Sequence, residues 1–330
     1  MKAAERAPGR PKAGGVVGHE AAPADEGLRL DRFCALRHPE VSRSRLAVLI
    51  REGRVTLDGR AARPSEAVSA GARVEIEFPP AVDSSLVPEA IALTVVHEDQ
   101  DLLVIDKPAG LVVHPGAGVR AGTLAAALLH RDPALLGVGG AGRSGLVHRL
   151  DRGTSGLMVV ARHDAAHRAL AAQFHARTVE KIYDAIVWGR PREREGKIDL
   201  GVGRDPKNRV RMRAGVAGGR AARSLYRVVE EIPGFARLEV RILTGRTHQV
   251  RVHLAALGHP IVGDATYGGE RSASVHDARR RLAARAIGRP ALHARRLAFD
   301  HPRTGARLAF ESPWPEDLCA LWSALGGRLP

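Results

Sequence analysis

Apolar positions divide the chain into three stretches. Residues 1–26 show no periodicity and are rich in Ala, Gly and Pro with mixed charge, which predicts a disordered tail. Residues 27–80 are patterned. Leu28, Leu30, Phe33 and Leu36 suggest a short helix, and Leu46, Leu49 and Ile50 repeat at helical spacing after it. Ser42 stands where the second helix needs a side-chain cap, and Gly53 where it must stop. Arg54 to Gly59 reads as a strand entering a tight Asp-Gly turn. Val74, Ile76 and Phe78 alternate with Glu75 and Glu77, the period of a strand with one face in water. Residues 81–92, close to Pro79 and Pro80 and including Pro88, read as a linker.

A larger domain follows over residues 93–330. Leu102–Ile105 is a short apolar strand that Lys107-Pro108 is expected to break, and Leu157–Ala161 is a second apolar run. A helix is expected from Asp164, with Leu170 and Phe174 four apart, then a strand over 182–187. Leu238, Val240 and Ile242 alternate with Glu239 and Arg241 in a half-buried strand. After the turn at Thr244-Gly245, Val250, Leu254 and Leu257 mark one helix face, ended by Gly258 and Pro260. Strands outnumber helices without alternating regularly with them. That predicts an α+β fold rather than a doubly wound parallel sheet.

Charge adds a partner. The formal net charge is +15, and arginine far outnumbers lysine. Arginine binds phosphate through a bidentate fork and stacks on bases, so a polyanion is the natural ligand. Aromatic residues make up only 4%, which argues against a long base-stacking platform. The two cysteines, Cys34 and Cys319, form no metal or disulfide framework. No apolar run approaches membrane-spanning length, and the first residues lack the apolar core of a secretory signal. A soluble cytoplasmic protein, acting as a monomer, is expected.

Candidate chemistry concentrates at Gly145–Leu157. Asp151 follows an apolar step and precedes Gly153, Thr154, Ser155 and Gly156. An isolated Asp in such a loop is usually a turn former or a cap. Here Arg149 and Arg152 flank it, and Arg246 lies in another glycine turn. An arginine against a buried carboxylate keeps it ionised, as a nucleophile or base requires. Other signals are weaker. Gly137–Gly142 matches GxGxxG but lacks the strand before it and the helix after it that a dinucleotide site needs. His248 and His253 are spaced onto different helix faces, a poor metal pair. His148 and His293 are expected to be solvated or core histidines. Arg279–Arg281, near Arg285 and Arg289, form a basic run that fits either RNA phosphates or a solvated face.

Five segments in order carry a resemblance: KPAGLVVHPG at 107–116, HRLDRGTSGLMVVAR at 148–162, VEKIYDAIVWG at 179–189, LTGRTHQVRVHLAALGHPIVGDATYG at 243–268 and LHARRLAFDHPRTG at 292–305. They resemble the RluA/RluD family of pseudouridine synthases. SRSRLAVLIREGRVTLDGR and AGARVEIE resemble the S4 RNA-binding domain, which docks a basic helix-turn surface on folded RNA. Together the resemblances cover about residues 27–315. They imply an S4-like module, with Arg43 and Arg45 on its RNA-binding side, followed by a synthase domain built on a mainly antiparallel mixed sheet flanked by helices, its basic cleft lying across the sheet.

The implied reaction breaks the uridine N1–C1′ bond, turns the base and joins C5 to C1′. It needs no redox step or hydrolysis, so neither a metal nor an organic cofactor is implied. Asp151 falls on the catalytic aspartate, attacking C1′ or abstracting a ribose proton. Tyr183 falls on the tyrosine that stacks on the target base, and Arg246 on the arginine that pairs with the aspartate. Arg149 falls on the residue that occupies the space of the flipped-out base, and Leu297 on a packing residue beside the uracil. The implied partner is structured RNA, foremost large-subunit ribosomal RNA or a pre-ribosomal particle. Two alternatives remain open at this point: a family member acting on transfer RNA, and a non-catalytic S4-type assembly factor.

Overall fold

The chain forms two units, Met1–Ser84 and Ser85–Pro330. A computed structural model describes residues 15–39, 41, 43–78, 86–116, 118–140, 143–208, 211–269 and 271–330, with the side chains of Ser44, Arg45 and Ser274 outside that description.

The first unit contains β1 (Val16–Glu20), α1 (Leu30–Arg37), α2 (Arg43–Arg51), β2 (Val55–Leu57), β3 (Arg60–Ala61) and β4 (Arg73–Glu77). Its strands form one antiparallel sheet in the order β1-β4-β2-β3. The β2–β3 turn works because Asp58 and Gly59 both take left-handed φ, 52° and 75°, which matches the twist of a two-residue hairpin. Leu30 and Phe33 of α1, Leu46, Leu49 and Ile50 of α2, and Val74 and Ile76 of β4 close a single apolar cluster. The expected tail therefore needs correcting. Residues 1–14 lie outside the described residues, but Val16–Glu20 is the edge strand β1, paired along its length with β4. Gly18 and His19 hide its alternation, and it buries neither face fully.

The second unit holds β5 (Thr94–Glu98), β6 (Leu102–Lys107), α3 (Leu124–Arg131), β7 (Ser155–Ala161), α4 (Asp164–Ala176), β8 (Glu180–Trp188), β9 (Glu195–Asp199), β10 (Val202–Arg204), β11 (Met212–Ala214), β12 (Arg223–Ile232), β13 (Phe235–Ile242), α5 (Gln249–Ala256), α6 (Ala278–Ala286), β14 (Leu292–Asp300), β15 (Arg307–Glu311) and α7 (Glu316–Leu325). The large sheet runs β5-β6-β7-β14-β8-β13-β12-β9, with β15 on β14 and with β10–β11 as a separate ribbon. Within the large sheet β7 and β14 pair in parallel and the other neighbours are antiparallel. The α+β expectation with a mainly antiparallel sheet holds.

Period two explains why β6 and β7 read as continuous apolar runs. Leu103, Ile105, Met158 and Val160 face one core cluster, while Leu102, Val104, Leu157 and Val159 face another, so the sheet is dry on both sides. β6 runs through Lys107 rather than ending before it. The expected linker also changes. Residues 79–85 lie outside the described residues, but Leu86 is buried in the core of the second unit and Glu89 binds the Gly122 amide, so residues 86–92 belong to that unit.

Candidate active site

Close backbone approach builds the loop that carries Asp151. Gly156 sits at φ 115° where β7 meets β14, and a Cβ there would lie 2.4 Å from the Ala294 carbonyl oxygen. Only glycine suits that contact. Before it, the Asp151 carbonyl accepts the Thr154 amide at 3.1 Å, closing a tight turn. Lys107 Nζ reaches the same loop from the end of β6, donating to the carbonyls of Pro108, Leu111 and Arg152 at 2.7, 2.9 and 3.5 Å. Burial, with Arg289 nearby, pulls the Lys107 pKa down to about 8 against the opposing pull of Asp151 and Asp106. Arg289 clamps the loop from the other side. It makes a fork to Asp317 at 2.6 and 2.7 Å and donates to the Gly153 and Leu292 carbonyls at 3.3 Å. Arg289 is thus a buried structural residue and not part of the basic surface run.

The Asp151 carboxylate is 18% exposed. Arg251, on α5, donates to Oδ2 from Nη1 at 3.3 Å. Its Nε and Nη2 are held by Asp264 at 2.7 and 2.8 Å. Asp264 in turn accepts the Thr266 and Tyr267 amides. His248, just before α5, brings Nε2 to 3.9 Å from the other oxygen, Oδ1, and its Nδ1 lies 2.8 Å from the Tyr267 hydroxyl. Tyr183 on β8 is buried beside them. Burial first, then the negative charge of Asp151, pushes its phenol pKa well above the usual value, so it remains a neutral aromatic surface.

These groups open into a cleft of about 450 Å³. Arg149, Arg177, Lys181, Arg220, Arg246 and Arg251 line it, with Asp151 as the sole carboxylate among the described lining residues. Burial, then the neighbouring charges of Arg220 and Arg177, lower the Arg246 pKa. His148 closes the floor. Its Nε2 accepts the Val159 amide at 3.0 Å and its ring stacks on Phe174 at 4.6 Å. Burial and Lys181 depress its pKa to about 3, so it stays neutral.

A half-buried aspartate with a fixed arginine, beside an aromatic surface in a cationic cleft, suits chemistry on a nucleic acid. The family described as RNA pseudouridylate synthase matches residues 101–256, and the S4 domain matches residues 28–74. Over 300 residues the chain is 47% identical to a "Ribosomal large subunit pseudouridine synthase D" of Pseudomonas aeruginosa, covering 91% of this chain and 92% of that one. The chain belongs to the RNA pseudouridylate synthase family. An RNA pseudouridine synthase of Chloroflexus aurantiacus is 49% identical over 296 residues, covering 90% of this chain and 89% of its own. Among solved structures, the human RNA pseudouridylate synthase domain containing 1 superposes with a TM-score of 0.54 at 28% identity, over 72% of this chain and 89% of that one.

The synthase places several expected residues differently. Asp151, Tyr183, Arg149 and Arg246 share the cleft. The arginine on Asp151, however, is Arg251; Arg246 donates to the Ala221 carbonyl at 3.2 Å. Arg246 sits in the turn before α5, whereas the first turn of the helix itself aims Arg251 inward. Leu297 is also corrected. It is 2% exposed and packs with Leu157 and Phe299 in the cluster on the other side of the sheet, and the leucine of β14 that lines the cleft is Leu292. In the S4 unit, Arg43 is half exposed and pairs with the buried Asp31 at 3.0 Å. The Arg45 side chain and the expected cap Ser42 lie outside the described residues. Arg251, His248 and Tyr267 were missed as site residues although all three lie in the segment 243–268. His253, by contrast, is a core residue bonded to Ser224 and to the Leu200 carbonyl.

One cluster of described residues has metal-like proximity: Asp99, Asp101 and His301. His301 Nδ1 accepts the amides of Arg303 and Thr304 at 3.2 Å. The neutral ring must then carry its proton on Nε2 and donate it to Asp99, 3.2 Å away. That nitrogen has no lone pair for a metal, so the cluster is a hydrogen-bonded lock between turns.

Proposed function

We propose that this synthase isomerises specific uridines of large-subunit ribosomal RNA, with Asp151 as the reacting carboxylate. The observation that carries the reading is the isolation of the Asp151 carboxylate, gripped by Arg251 among cations that attract the RNA backbone. The similarity to ribosomal large subunit synthases across about nine-tenths of both chains supports the substrate class. A base hidden in a stack must be extruded before its glycosidic bond is reachable, at a cost of a few kcal/mol. Arg149 at the cleft wall is suited to fill the vacated space. Tyr183 offers the flat apolar face on which an extruded uracil rests, an interaction of about 1–3 kcal/mol. The Asp151 carboxylate then acts on the ribose while the uracil, held in the cleft, rotates to present C5 to C1′. The two free cysteines, Cys34 and Cys319, fit a reducing cytoplasm.

Pseudouridine mapping of total RNA tests this directly. Cells lacking the protein are expected to lose specific sites in large-subunit ribosomal RNA, restored by the wild type and not by Asp151→Asn. Loss confined to transfer RNA would move the substrate. Restoration by Asp151→Asn would make the protein a binding factor.

A further inference from the structure

His248 is one of four described non-glycine residues with positive φ, at 57°, and it precedes α5 without capping it. A left-handed histidine costs backbone energy that surrounding contacts must offset. Those contacts run through Tyr267. Its ring lies beneath the guanidinium groups of Arg251 and Arg211, 5.0 and 5.3 Å from the ring centre. Its hydroxyl oxygen accepts the Met212 amide at 2.9 Å, and burial keeps the phenol protonated. With that amide as donor, the single phenolic proton points to His248 Nδ1, 2.8 Å away. The imidazole must then carry its own proton on Nε2, the atom facing Asp151. Asp151, Asp264, Arg251 and Arg149 are the charged groups around the ring, and burial outweighs their combined effect to keep it neutral.

Arg251 occupies Asp151 Oδ2, so Oδ1 is the oxygen free to react. We infer that His248 is a positioning residue: Tyr267 locks it as the Nε2–H tautomer, and that N–H aims Asp151 Oδ1 at the ribose. A neutral donor can hold a carboxylate oxygen in place without cancelling its charge, as a second cation would. The 3.9 Å gap is too long for a hydrogen bond in the free enzyme, and such contacts commonly tighten when substrate binds. The inference rests on the reading of Asp151 as the reacting carboxylate.

The test combines nitrogen-15 NMR of histidine rings in the full-length protein with single-turnover kinetics on the RNA fragment identified by mapping. Wild-type His248 should show a pure Nε2–H pattern, and Tyr267→Phe should lose it. Glutamine offers a donor near the Nε2 position, while asparagine reproduces only the Nδ1 side. His248→Gln should keep the rate within about threefold of wild type, whereas His248→Asn and Tyr267→Phe should lose about tenfold or more with KM nearly unchanged. An Nδ1–H tautomer in the wild type overturns the inference, as do equal rates for His248→Gln and His248→Asn. The wild-type tautomer is read without any substitution, so a poorly folding variant leaves the test standing. If the wild type makes no pseudouridine, the proposed function fails. If the wild type is active, Asp151→Asn is inactive and His248→Asn matches wild type, only the role of His248 falls.

Discussion

Arg251 touches Asp151 through a single nitrogen, Nη1, 3.3 Å from Oδ2. Its other two hydrogen bonds go to Asp264, so the guanidinium is oriented by one carboxylate while it holds another. Removing the cation would leave two carboxylates facing a buried space. Arg251→Met is expected to lower stability by about 3–5 kcal/mol. Lysine supplies the charge without the fork, so Arg251→Lys should recover part of the stability and little of the turnover. Urea unfolding alongside single-turnover rates checks both.

The two leucines of β14 should separate cleanly. Leu297→Ala removes a buried side chain from the far cluster and should cost about 2–5 kcal/mol of stability while leaving the rate per folded molecule near wild type. Leu292→Ala opens the cleft wall and should raise KM or lower the rate. If Leu297→Ala proved to be the catalytic variant, the cleft assignment would be wrong.

Their placement also illustrates what could be read before the structure. The strand β13 follows from apolar alternation and β7 from an unbroken apolar run, because β13 buries mostly alternate positions and β7 buries all of them. β14 carries a bulge between His293 and Arg296, and across a bulge, spacing no longer reports which way a side chain faces. Asp151 stood out because polar residues surround it in a loop before an apolar run. Arg251 did not, because nothing local distinguishes a helix arginine that meets a carboxylate 100 residues earlier. β1 escaped because an edge strand with Gly18 and His19 shows little alternation.

Asp99 ties three turns together, and hydrogen bonds overcome its burial to hold its pKa at about 2: His97, the amides of Asp101 and Leu102, and His301 all donate to it. The folded-state value lies below the ordinary 3.8, so the stabilisation is complete above pH 4 and is lost as pH falls towards 2. That loss should amount to about 2 kcal/mol. Asp99→Asn is expected to be less stable at neutral pH and flatter across that acid window, as thermal midpoints at stepped pH would show.

RNA affinity should fall steeply with salt. Arg220→Gln and Arg246→Gln, both in the cleft, should each reduce the slope of log affinity against log salt by about 0.7–0.9 if each neutralises one phosphate. Filter binding from low to moderate salt measures this, and an unchanged slope would remove these arginines from the backbone path.

The parallel pairing of β7 with β14 has a consequence for how the enzyme comes into being. Ser155 Oγ meets His293 Nδ1 at 3.0 Å across 138 residues of chain. Asp151 leaves the ribosome long before the strand that seats its loop, and Arg289 and Asp317, which clamp that loop, are made later still. Contacts so distant in sequence close late and slowly. A nascent synthase therefore holds the Asp151 loop unsupported until the chain through Asp317 has been made.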